Sequence, residues 1–130
     1  MAIQKIPPEI VTWLVDTMVC LSFVDDKVAP VEVALIERVL KTFDATDERK
    51  TQVRRMLDGR APRPMLVLPP PTMAYDAKLE VFREAVELVF ADGVLDKREQ
   101  DLVMKIANAL GLHLSDMQTI WTRGKRHLDR

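Results

Sequence analysis

Five prolines between residues 60 and 73 (Pro62, Pro64, Pro69, Pro70 and Pro71) set the strongest limit on how this chain folds. Proline lacks a backbone N–H, and its ring clashes with the preceding helical turn, so no helix or central strand can run through this stretch. Residues 60–73 therefore read as a crossover, extended in part as polyproline II. It separates two halves, at about 8–59 and 74–128.

Each half reads as helix. Pro7 and Pro8 can open the first helix, because a first-turn proline forfeits no hydrogen bond. From about 8 to 24 the chain is apolar on most of its circumference, apart from a stripe at Glu9, Thr12 and Asp16. Such a helix belongs at the centre of a fold. Pro30 opens a second helix whose apolar face carries Val33, Ile36, Val39, Leu40 and Phe43. Thr46 is an N-cap for a third, with Asp47 and Glu48 in its first turn and Gly59 at its end. The second half repeats the plan. A helix from about 74 to 91 carries Leu79, Phe82, Ala85, Val86, Val89 and Phe90. Another from about 97 to 110 carries Leu102, Val103, Ile106 and Leu110 and stops at Gly111. Ser115, with Gln118 three residues on, is expected to open the last helix through a capping box.

A shift of 67 residues lays the two halves on each other. Leu21–Asp26 falls on Leu88–Gly93, Val28 on Leu95, Glu32 on Glu99, Leu35 on Leu102 and Val39 on Ile106. The expected fold is all-α: one domain over 1–130, a compact bundle of about six helices from two pseudo-symmetric helical-hairpin repeats. The helices near 8–24 and 74–91 should lie side by side as equivalents.

The string Phe90-Ala-Asp-Gly-Val-Leu-Asp-Lys-Arg-Glu99, with Leu102 and the ending Ala107-Asn-Ala-Leu-Gly-Leu112, resembles the TerB-like domains. These occur in tellurite-resistance proteins and, in related form, at the N-terminus of a membrane-anchored DnaJ-type co-chaperone. Their pattern is an apolar helix, Ala-Asp-Gly, a short apolar turn, an acidic residue, and a Glu opening an amphipathic helix. Residues 84–112 match it well, and residues 17–43 match a weaker first copy. The resemblance implies a cytoplasmic bacterial setting and a binding or scaffolding role near stress response, without catalysis. It also implies divalent cations, Ca or Mg, held by acidic side chains. The positions that carry the pattern are Asp92, Asp96 and Glu99 in the second copy and Asp25 and Glu32 in the first. The first copy departs from the pattern, with Asp26 at the glycine position and Ala29 at the position of Asp96. It thus has one fewer oxygen ligand.

Chemistry leaves two main readings of these acids open, and a third, a small enzyme using Asp92, Asp96 or Glu99 as acid/base groups, ranks last because no sequence feature marks a cleft. Carboxylates suit hard divalent cations, yet the spacing is not that of an EF-hand, whose loop needs a Glu at its twelfth position. Alternatively, Asp96 is an N-cap with Glu99 as its N3 partner, Glu32 complements a helix N-terminus, and Asp92 with Gly93 forms a turn.

The other residues exclude more than they propose. His113 and His127 have no Cys, His or carboxylate at metal-ligand spacing. There is no Gly-rich phosphate loop. Cys20, the single cysteine, sits in an apolar run and reads as a small buried thiol. The stretch Ile10–Val24 is too short and too polar to span a bilayer or to act as a signal peptide. Formal net charge is −1, but residues 1–48 and 76–101 are acidic while 49–75 and 102–130 are basic. The basic zones hold Lys50, Arg54, Arg55, Arg60 and Arg63, then Arg123, Lys125, Arg126 and Arg130. They are small and lack interleaved aromatics, which argues against nucleic acid. They read as solvated faces, or as docking surfaces for an acidic protein or for the acidic half of a second copy in a homodimer. Met65-Leu-Val-Leu68 is apolar within the crossover. Leu66 and Leu68 are expected to fold back over the core, the alternative being presentation to a partner.

Overall fold

The computed structural model describes residues 7–23, 28–70, 73–90 and 96–128, with residues 127 and 128 described by backbone alone. Six α-helices follow in order: α1 Pro8–Ser22, α2 Pro30–Thr42, α3 Asp47–Leu57, α4 Tyr75–Phe90, α5 Lys97–Leu110 and α6 Leu114–Leu128. No strand occurs among the described residues, so the fold is the all-α bundle expected.

Local chemistry fixes the helix ends. Pro8 and Pro30 sit in the first turns of α1 and α2. The Thr46 hydroxyl accepts from the Arg49 N–H at 3.1 Å. Among the described residues, three helices close in one way, through a residue with positive φ: Asp44 after α2, Gly59 after α3 and Gly111 after α5. At each, that residue and its successor donate N–H groups back into the last turn, for example Gly59 to Met56 and Arg60 to Arg55. These are Schellman closures, which normally favour glycine. Asp44 is the non-glycine case, in a conformation that short polar side chains tolerate better than most.

The start of α6 corrects the expectation at Ser115, which lies inside the first turn. The helix begins at Leu114, and its cap is supplied from another element. The Tyr75 hydroxyl accepts from the His113 N–H at 3.0 Å and donates to Asp116 at 2.5 Å. A capping box normally links the N-cap N–H to a side chain at N3 directly. Here a tyrosine at the start of α4 stands between them, so the cap forms only when α4 and α6 are already together.

The core is continuous. Phe82, Leu14, Met18, Leu35, Ile36, Leu102, Ile106 and Leu110 are fully buried. Helices α2 and α5 pack on each other, α1 lies on α2 and α5, and α4 likewise lies on α5 and α2. Helices α1 and α4 are therefore not side by side, contrary to expectation. The apolar faces of α2 and α5 meet at the centre, so α1 packs most on α5 of the other half, whereas α4 packs most on α6 and α5 of its own half and less on α2. α4 and α6 form the most extensive pairing. Gly124 makes it close: a Cβ there would lie 2.6 Å from a Val86 methyl and 2.8 Å from the Phe90 ring.

The crossover behaves differently from expectation. The Trp13 indole N–H donates to the Val67 carbonyl at 3.1 Å, and the Cys20 thiol donates to the Pro64 carbonyl. These contacts cover the outer side of α1, which accounts for its broad apolar circumference. They turn the carbonyls inward and leave the side chains outside, so Leu66 is 54% exposed and Leu68 86%. Neither seals the core. Cys20 is half-buried rather than fully buried. Burial and the nearby Asp16 charge push its thiol pKa up, partly offset by Arg63, which works against a reactive thiolate.

Phe82→Ala should destabilise the domain by about 3–5 kcal/mol, the usual cost of emptying a core phenylalanine site. Gly124→Ala should cost about 1–3 kcal/mol by overpacking the α4–α6 contact. Urea melts check both, and a Gly124→Ala variant as stable as the parent would show that α4 and α6 can separate freely.

Candidate functional site

The acidic entry to α5 is the centre of the sequence pattern. Asp96 is the N-cap, and its carboxylate accepts from the Arg98 N–H at 2.8 Å. Glu99, in the first turn, is only 4% exposed. A buried carboxylate needs a charged or hydrogen-bonding partner, and Arg38 of α2 supplies one: its Nη2 lies 2.6 Å from Glu99 Oε2. The other arm of the same guanidinium, Nη1, donates to the Leu88 carbonyl. Leu88 lies in the last turn of α4, where carbonyls lack helical partners and the helix dipole is negative. One planar cation thus ties the end of α4 to the beginning of α5.

In the first half, Glu32 is also buried. Its Oε1 accepts from the Ala29 N–H at 2.9 Å, closing the start of α2 from the N3 position. Asp25 and Asp92 lie outside the described residues, within the segments 24–27 and 91–95. Asp96 and Glu99 are thus brought into one helical turn, with Glu32 at the corresponding turn of α2. Among the described residues no group of three or more His, Cys, Asp or Glu is placed to hold a metal ion. His113 stacks at 5.1 Å on Tyr75, a structural role at the α6 cap.

Sequence reasoning missed Arg38, Tyr75 and Glu84. The signal for Arg38 was a lone arginine in the apolar second helix of a chain whose repeat sets Glu32 in register with Glu99. Glu84 sits in the apolar run of α4 and is 5% exposed. Its pKa is pushed up to about 7, first by burial, then by the charges of Glu87 and Glu80 and a hydrogen bond with Glu80. The spacing Glu80, Glu84, Glu87 places like charges on one helix face, which is unfavourable when all are ionised.

Residues 71–121 match the family model described as Tellurite resistance protein TerB. The match runs from the end of the crossover through α4 and α5 into α6, less than half of the chain. No curated protein and no solved structure matches the chain. No described helix is long and apolar enough to cross a membrane.

Two predictions follow from these groups. Arg38→Ala leaves Glu99 buried without that cation and should cost about 2–3 kcal/mol, more than the roughly 0.5–2 kcal/mol expected for losing the Asp96 cap in Asp96→Ala. Chemical denaturation of both variants tests the order. Glu84 should make stability pH-dependent. Because its folded pKa is raised from 4.5 to about 7, the folded state favours the neutral acid. Its contribution is most favourable below the unfolded pKa and is lost as pH rises through about 7. Glu84→Gln should therefore be more stable than the parent at pH 8, by roughly 1–3 kcal/mol, with the difference fading towards pH 4.5. Urea melts at pH 8 and pH 5 with an unchanged difference would remove Glu84 from this account.

Proposed function

We propose that this chain is a non-catalytic helical binding module, working in the cytoplasm of a bacterium as part of a stress response of the tellurite-resistance kind. The observation that carries the reading is the TerB match over residues 71–121. The α5 entry supports a structural use of its acids: Asp96 serves a backbone N–H and Glu99 serves Arg38. In this reading they hold the halves in register while exposed faces meet a protein partner.

The second reading adds a divalent cation at the acidic loops. What favours it is that Asp96 and Glu99 share one turn within the TerB-matched stretch. Arg38 would compete with the ion for Glu99, and three carboxylates fall short of the six to eight oxygens that Ca²⁺ takes. The site would then be weak, on the order of millimolar. The first half, with Ala29 in place of the middle acid, would be weaker still.

Thermal melts with and without about 10 mM calcium separate the two. A site of about 1 mM affinity adds roughly 1.4 kcal/mol of stability under those conditions, and Asp92→Asn should abolish the gain. A parent melting point that calcium leaves unchanged removes the ion. For the module itself, cross-linking of the tagged chain in cells, before and after tellurite challenge, should trap a stoichiometric protein partner. Recovery of the free chain alone under both conditions would overturn the binding role.

A further inference from the structure

Helix α3 is joined to the bundle more lightly than α6. Its buried residues are Val53 and Met56, and it has no glycine to bring it close, as Gly124 does for α6. Between α2 and α3 this leaves an open groove of about 800 Å³. Its apolar surface comes from Ala34, Leu57 and the methylene stems of long basic side chains, which commonly cover apolar surface while their heads stay in water. Its rim carries Lys41, Lys50, Arg55 and Arg60. All four are exposed, and none forms an ion pair with a described carboxylate. The acids along the groove are Asp58 and Glu37, and Glu37 is already paired with Arg54.

We propose that this groove docks an acidic amphipathic helix of a partner protein. The inference rests on the binding-module reading and assigns that module its surface and the chemistry of its partner. An apolar floor between cationic rims complements a helix with an apolar stripe at i, i+3, i+4 and i+7 flanked by Asp and Glu. A small molecule fits less well, because such ligands sit in clefts that enclose most of their surface. A nucleic acid would want aromatic stacking platforms, and no aromatic side chain lines the groove. The unpaired cations would attract the partner at long range and lose that advantage as salt rises.

The test uses the full chain and a fluorescein-labelled synthetic 16-residue peptide with Leu at i, i+3, i+4 and i+7 and Glu on the flanks. Fluorescence anisotropy should show saturable binding that weakens with salt. The double variant Lys50→Glu, Arg55→Glu should weaken it at least about tenfold, with circular dichroism confirming that the fold is kept. The charge-matched variant Arg123→Glu, Arg126→Glu, on α6, should bind as the parent does. The proposal is overturned if the peptide does not bind, if a scrambled peptide of the same composition binds equally, or if both double variants lose affinity alike. Tighter binding of a single-stranded oligonucleotide or of anionic vesicles overturns it too. A cellular cross-linked partner that survives Lys50→Glu, Arg55→Glu removes the groove while leaving the module reading in place.

Discussion

Arg38 is the joint between the halves. Its guanidinium carries donors in a rigid planar fork, and two of them are spent on groups that neither α4 nor α5 satisfies alone. Without it, the last turn of α4 would lose a partner for a terminal carbonyl, and α5 would begin with a buried carboxylate short of a cation. The contact also reaches across the chain, from α2 in the first half to the end of α4 and the start of α5 in the second. It fixes how the two hairpins meet, which in turn sets α1 against α5 and α4 against α2. The hydrophobic core stabilises this arrangement without specifying it, since apolar faces can slide by a turn and a bidentate arginine cannot.

Much of the fold was legible because helix periodicity and end chemistry are local. Pro8, Pro30, Thr46, Gly59, Gly111 and Asp96 each do what their own type and position dictate. The start of α6 was misplaced at Ser115 because its cap comes from Tyr75, some forty residues away, and no local rule can find it. Asp44 escaped notice for a related reason: a Schellman closure by a non-glycine leaves only a weak trace. The pairing of α1 with α5 instead of α4 is a tertiary choice, made by which apolar faces are broadest once all are present.

The site was legible by pattern but not by partnership. Glu32, Asp96 and Glu99 could be picked out as helix-opening acids, and two of them close backbone N–H groups as the capping argument requires. What the spacing could not reveal was the cation facing Glu99, since Arg38 lies in the other half. Glu84 was hidden by the opposite effect. A glutamate within an apolar run looks like a solvated position, and only the packing around α4 shows that it is buried among other acids.

Between Pro64 and Val67 the crossover is held to α1 through its main chain. Trp13 and Cys20 bind the carbonyls of Val67 and Pro64, and every residue type offers a carbonyl. Folding therefore places almost no demand on which side chains occupy positions 65, 66 and 68. Drift there would leave the path of the segment intact, so any pressure that keeps Met65, Leu66 and Leu68 apolar acts from outside the molecule.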